Sequence, residues 1–327
     1  MGDSIMELDG RHPPSGYPFD LLRIINRFSI SFNEDGDLLV DPAFHNPELM
    51  AQAKAKGLKV LASLGQRNTP WMKAAGDRTL LARVVENLSK FIGEKGYDGL
   101  DVDWEPMPQN EEQGRAHAGF LRALRKGLPG KALLTVDTSA PEFIRWDEVA
   151  SAADYVHLMG YDYHGWEDHA GHNAPLYPTQ AYKDPCGDVS VSATVMDYLA
   201  VRKIPPGKIL LGLPFYGHSF TGPGLYQKTT GQSRLWTFTD VYRLLARPDV
   251  RRARDDSAMV PSAHDQGGNQ HVSYDDAESL AAKIKFARAK KLGGFFIWAL
   301  GFDEIEPGRT PLVEAVREAV KDWSKSP

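Results

Sequence analysis

The chain has 327 residues, with 38 Lys and Arg against 43 Asp and Glu, a formal charge of −5, and 42% hydrophobic residues. This is the balance of a soluble globular chain whose core needs no covalent staples, and its mild acidity argues against a nucleic-acid surface or a membrane-binding basic patch. The single cysteine, Cys186, rules out an internal disulfide and reads as a bystander thiol rather than a nucleophile.

From the N-terminus, short apolar runs alternate with segments of helical period. Residues 1–20 carry Asp3, Glu7, Asp9 and Arg11 and hold no signal-peptide core. The first strand is weak, since only Ile5–Leu8 precedes the run Leu22–Phe32. A helix over Pro47–Lys56 closes on Gly57 and leads into the strand Leu58–Leu64. Residues Asp77–Lys95 place Leu80, Leu81, Val84, Val85, Leu88, Phe91 and Ile92 at helical spacing and stop at Gly96. The strand Gly99–Trp104, the helix Glu112–Gly127 and the strands Ala132–Asp137 and Tyr155–Tyr161 follow. Next come the helix Val191–Arg202 and the strand Lys208–Phe215. The stretch from Tyr216 to Tyr274, rich in Gly, Pro, Thr, Arg and Asp, holds one helix at Phe238–Arg247. Its residues 218–273 read as an insertion or loop region rather than an independent domain. The helix Asp275–Lys291 and the strand Gly293–Ala299 complete the pattern. No stretch approaches the ~18 uncharged apolar residues that a membrane span needs.

Continuous apolar strands such as Ile209–Leu213 belong to parallel sheets covered on both faces. Strand–helix alternation along the whole chain therefore predicts an α/β fold, a single closed (β/α)8 TIM barrel over 1–327. An open doubly wound sheet is the rival, but no G-x-G-x-x-G follows an early strand.

The segment Asp98-Gly99-Leu100-Asp101-Val102-Asp103-Trp104-Glu105-Pro106 carries the chemistry. Side chains of a strand alternate, so Asp101, Asp103 and Glu105 share one face while Leu100, Val102 and Trp104 share the other. In a barrel the acids point inward, where like charges cannot all ionise, and a general acid needs a carboxyl kept protonated. Glu105 stands last, at the C-terminal strand end where barrel active sites form. A calcium loop would want glycine and irregular backbone, and a solvated edge strand would not flank each acid with apolar residues. Asp98 reads as a structural hydrogen-bonding residue. His157, His164, His169 and His172 are close in sequence without metal-ligand logic, and His157 reads as a satisfied core histidine; no metal and no cofactor are expected.

The run Asp98–Glu105 resembles the D-x-x-D-x-D-x-E signature of glycoside hydrolase family 18, the chitinases and their relatives. Lys59–Gly65 is similar to that family's third strand and Met159-Gly160-Tyr161-Asp162 to its M-x-Y-D motif. Leu211–Gly217, Val272–Lys283 and Gly293–Trp298 resemble the seventh strand, the segment before the last helix, and the eighth strand. Three departures stand out. Gln66 replaces a usual glycine, Ile25-Asn26-Arg27-Phe28 replaces I-N-Y-A-F, and the family's aromatic first strand has no counterpart in residues 1–20.

The resemblance implies a chitinase acting on β-1,4-linked N-acetylglucosamine by a substrate-assisted, retaining mechanism, which sets this family apart from two-carboxylate glycosidases. It implies Glu105, Asp103, Asp101 and Tyr161 as the catalytic set, with Asp101 and Asp103 sharing a proton. Asp162, Met159, Trp298, Tyr216 and Trp166 are implied as substrate-binding residues. An endo-β-N-acetylglucosaminidase acting on N-glycans and a non-catalytic chitin-binding lectin are the rival functions. The insertion between strands 7 and 8 is short for the family and predicts a shallow cleft and endo action. The expected partner is chitin or a chitooligosaccharide, with no nucleic acid and no membrane, and the chain is expected to be a monomer. An extracellular protein with its export signal absent from this chain is expected, a cytoplasmic one being left open.

Overall fold

A computed structural model describes residues 2–7, 16–139, 142–165, 168–180, 187, 189–231, 233–267 and 269–321, with the backbone alone for 2–7 and 66–69. The first elements in chain order are β1 (Gly2–Glu7), β2 (Ile24–Phe32), β3 (Leu38–Leu39), α1 (Pro47–Ala55), β4 (Lys59–Arg67), α2 (Asn68–Gly76) and α3 (Arg78–Lys95). There follow β5 (Gly99–Glu105), α4 (Glu111–Gly127), β6 (Leu133–Thr138), α5 (Trp146–Ala152), β7 (Tyr155–Leu158), α6 (Val191–Met196) and β8 (Ile209–Pro214). The chain ends with β9 (Tyr216–Thr221), β10 (Arg234–Thr237), α7 (Phe238–Leu245), β11 (Val250–Asp255), β12 (Val260–Asp265), β13 (Gln270–Ser273), α8 (Ala277–Ala289), β14 (Gly294–Leu300) and α9 (Pro311–Val320).

The chain forms two compact units, the first comprising Met1–Leu158, Tyr198–Leu210 and Leu292–Phe296. Its sheet runs in the order β1-β14-β8-β7-β6-β5-β4-β2-β3, to which β8 and β14 contribute their first residues. Because β1 also pairs with β2, eight strands close into a ring and β3 hangs antiparallel on β2. The weak first strand thus exists, starting three residues earlier than Ile5–Leu8, with Ser4–Glu7 in parallel register with Ile24–Arg27. Pairing on both edges holds a segment whose own β-propensity is poor.

Helix α3 begins where the Asp77 carboxylate accepts from the backbone N–H groups of Thr79 and Leu80, and it ends at Gly96 with φ 75°. The outward side chains of β5 are buried: Trp104 stacks on Trp71 at 4.6 Å and meets Phe120 edge-on at 6.1 Å. That packing pins the strand and commits its other face, with Asp101, Asp103 and Glu105, to the inside of the ring. The helix expected over Val191–Arg202 is α-helical only to Met196, and the wider turn Asp197–Val201 sets the Tyr198 ring 4.7 Å from that of Trp146.

The second unit comprises Met159–Asp197, Leu211–Lys291 and Ile297–Pro327. It is built on a five-stranded antiparallel sheet, β10-β9-β13-β12-β11, with α7 at its side and α8 packed on α9. These strands and α7 fill the stretch 218–273, where the sequence suggests only a helix. Strands such as Val250–Asp255, half-exposed and rich in arginine, carry no apolar alternation to reveal them. Among the described residues no helix is long and apolar enough to cross a membrane.

Candidate active site

In the first unit the register aligns Asp101 with Ser63 on β4 and Thr135 on β6, Asp103 with Gly65, and Asp137 with His157 on β7. The three acids of β5 form a gradient of exposure: Asp101 is buried, Asp103 half-buried and Glu105 exposed at the strand end. A β-carbon at Gly65 would lie 2.9 Å from the Phe28 ring, so the position beside Asp103 accepts only glycine without movement.

Asp101 is fully inside. It accepts from Ser63 Oγ at 2.8 Å and from Thr135 Oγ1 at 2.5 Å, and His157 Nδ1 lies 3.4 Å from its Oδ1. The same nitrogen stands 2.8 Å from Asp137 Oδ1. Burial favours the neutral carboxyl of Asp101, but its hydrogen bond with His157, the imidazolium charge and the two hydroxyl donors prevail and hold it below the usual carboxylate range. Asp103 is pushed well above that range by burial and by the charges of Asp137, Glu105 and Asp101. Its Oδ1 is buried without a hydrogen-bond partner among the described residues. Burial and the charge of Asp101 raise Asp137 to about 8, while hydrogen bonds and charge from the two acids raise His157 to about 9 against its own burial. The shifts thus favour the charged imidazole and the ionised carboxylate at His157 and Asp101 and the neutral carboxyl at Asp103 and Asp137, a balance that a dry interior tolerates.

A second cluster lies in the other unit. The strand expected to reach Tyr161 ends at Leu158, and the chain turns so that Asp162 sits at φ 59°. Asn173 holds that turn, its Oδ1 accepting from Asp162 N at 2.9 Å. Asp162 Oδ1 accepts from Tyr216 Oη at 2.5 Å and pairs with His218 Nε2 at 2.8 Å. A β-carbon at Gly165 would lie 2.6 Å from the His218 ring, so this approach also needs glycine. The rings of Tyr161 and Tyr216 meet edge-on at 5.8 Å. Burial, then the charge of Asp162, keeps the Tyr216 phenol protonated and therefore a donor.

Backbone pairing of Phe215 N with Trp298 O, 2.7 Å, sets the end of β14 beside that of β8. Trp298 is half-buried on a strand whose Phe295 and Phe296 are fully covered, and Met159 is half-buried beyond β7. Trp166 and Cys186 lie outside the described residues.

Among the residues expected from the sequence, the structure gathers Asp101 and Asp103 in one cluster and Tyr161, Asp162 and Tyr216 in another. It adds Asp137, Asn173 and His218, and gives His157 two acidic partners, Asp101 and Asp137, where the sequence suggests only a satisfied core histidine. The signal for Asp137 and His218 was present: Thr135/Asp137 and Tyr216/His218 are polar pairs at i and i+2 on buried strands, the same pattern that marks β5. Asp98 receives the Val60 N–H at 2.9 Å and pairs with Lys59 at 2.7 Å, a structural role.

The family model for Glycosyl hydrolases family 18 matches residues 17–303. Mouse Chitotriosidase-1 is 29% identical over 86% of this chain and 69% of its own length. Human Chitinase-3-like protein 2 is 27% identical over 82% of the chain and 77% of its own. The crystal structure of Ostrinia furnacalis Group IV chitinase in complex with allosamidin superposes with a TM-score of 0.87 at 23% identity, covering 98% of each chain. That likeness carries the fold, a (β/α)8 barrel.

Proposed function

Since the chain belongs to glycosyl hydrolase family 18, we propose that it is a chitinase cleaving β-1,4-linked N-acetylglucosamine within the polymer, with retention of configuration. The observation that carries this reading is the graded acidic strand: Glu105 exposed at its end, behind an Asp103 pushed up by burial and neighbouring charge and a fully buried Asp101 held down by His157 and two hydroxyl donors. A binding protein has no need of an acid poised at the strand end behind two others of opposed protonation.

In the proposed reaction the acetamido oxygen of the substrate attacks the anomeric carbon as the C1–O bond breaks, and Glu105 gives its proton to the departing oxygen. An oxazolinium ion results. Asp103 orients the acetamido N–H and stabilises the positive charge that develops there, with Asp101 sharing its proton. Water then adds to C1, reopening the ring and returning a proton to Glu105. Tyr161 is proposed as the donor to the acetamido oxygen and Asp162 as a contact to the sugar or its proton network. Trp298 is proposed as a stacking platform for a pyranose face, with Met159, Tyr216 and Trp166 lining the bound sugars. Endo action is the finest part of the reading and rests on the short stretch between β8 and α8.

The test follows chitotetraose and chitohexaose by mass with wild type and Glu105→Gln. Hydrolysis by wild type and its loss in the variant is the expected result. Binding without turnover by wild type would make the chain a lectin, and cleavage of N-glycans with chitin oligomers left intact would overturn the substrate. Disaccharide released alone and processively from long chitin would overturn endo action.

A further inference from the structure

Asp137 and His157 have no part in the proposed reaction, yet both are fully buried, on the next two strands along the sheet from the acidic one. We propose that they are positioning residues for that strand: the imidazole on β7 spans carboxylates on two neighbouring strands, fixes which inward acid holds the proton, and so sets the pH range of hydrolysis. The proposal rests on the reading of Asp103 as the group that meets the acetamido N–H.

A single nitrogen, Nδ1, stands 2.8 Å from Asp137 Oδ1 and 3.4 Å from Asp101 Oδ1. One cation therefore faces two acids, and in a dry interior it can balance only one negative charge. Asp101 keeps that charge because Ser63 and Thr135 also donate to it, whereas Asp137 meets the imidazole and shares a side-chain hydrogen bond with Asp101 that favours its neutral form. The two remaining acids, Asp137 and Asp103, hold protons, and the unpartnered Oδ1 of Asp103 is consistent with a protonated carboxyl. From β14 the Phe296 ring stacks on the imidazole at 4.9 Å, and β8 brings Ile209 and Leu210. Among the described residues of this unit no further ionisable side chain comes from those two strands. The groups that set the charge of His157 are Asp101 and Asp137, and those that set Asp103 are Asp137, Glu105 and Asp101.

The two partners act on Asp103 with opposite sign. In Asp137→Asn a negative charge beside Asp103 disappears, so Asp103 gives up its proton at lower pH. In His157→Asn the cation disappears, so the remaining carboxyls give up protons at higher pH. The acid limb of kcat/KM on chitotetraose is expected to move down in Asp137→Asn and up in His157→Asn, each by about one pH unit. Lower rates with an unmoved limb in both variants would reduce the pair to packing and overturn the proposal. A second readout needs no turnover: the imidazole resonances of His157, assigned by their loss in His157→Asn, are followed against pH in the substrate-free wild type. A midpoint well above 6.5 that falls in Asp137→Asn supports the pair, and a midpoint near 6.5 overturns it. If wild type hydrolyses no substrate, the functional reading fails while this titration still decides the inference.

Discussion

Each unit of the molecule contains a buried ion pair, and the two differ in what surrounds them. In the second unit Lys283 and Asp275, both fully inside, pair directly, and Ser279 Oγ donates to the same carboxylate oxygen at 2.7 Å. Burial drives both toward neutrality, lowering the lysine and raising the aspartate, while their mutual attraction opposes it. One base answers one acid. In the first unit His157 answers Asp101 and Asp137 with Asp103 close behind, so acids outnumber the base and protons must make up the difference. A balanced pair is a fastener, whereas an unbalanced cluster stores exchangeable protons, which acid–base chemistry requires.

The sharpest break between the two regions is Glu105→Gln, expected to lower kcat on chitohexaose by roughly 10³-fold while leaving the melting temperature within about 1 °C of wild type. Next in size is Lys283→Met. It strands Asp275 without its counter-ion and is expected to cost about 3–5 kcal/mol of stability, read by denaturant titration, with the pH profile of hydrolysis unmoved. Adding Asp275→Asn to Lys283→Met should recover part of that loss.

Smaller is the pH dependence of stability, which belongs to the unbalanced cluster. His157 is held protonated to about 9 against an ordinary 6.5, so folding takes up a proton between those values. Its contribution is complete below about 6.5 and is lost as pH rises through about 9. Asp137, raised to about 8, acts in the same direction at lower pH. The melting temperature should therefore fall by several degrees between pH 6.5 and 9, and the slope over that window should flatten in His157→Asn. An equal slope in wild type and variant would assign the fall to other groups.

The acidic strand was legible because Asp101, Asp103 and Glu105 recur every second residue through an apolar run, a pattern that strand geometry turns into one face. Most of the ring was legible for the related reason that strands buried on both sides read as continuous apolar runs. The partnership of Asp137 with His157 was not, because it depends on the register between two strands far apart in sequence, and a lone acid ending a strand resembles a boundary. Gly2–Glu7 was read only in part because its place comes from its neighbours rather than from its own residues. The sheet of the second unit stayed hidden because Arg251, Arg252 and Arg254 interrupt the alternation by which a half-buried strand is recognised.

The least disruptive variant, Tyr216→Phe, carries the comparison to the second unit's polar cluster. There the Asp162 carboxylate meets the Tyr216 hydroxyl at 2.5 Å and His218 Nε2 at 2.8 Å, with no second acid in hydrogen-bonding contact among the described residues. Removing the hydroxyl leaves His218 on the carboxylate, so Asp162 loses one donor without becoming unpaired. A hydrogen bond to a charged group contributes about 1.5–3 kcal/mol, of which the surviving partner retains a share. The expected result is a three- to tenfold fall in kcat/KM, about 1 kcal/mol, with a small change in stability. Because Tyr216→Phe removes no charge, the limbs of the pH profile should stay where they are in wild type. A limb displaced by Tyr216→Phe as far as by Asp137→Asn would mean that the second cluster also takes part in the proton inventory, and the contrast between a fastened carboxylate and a titrating one would fall.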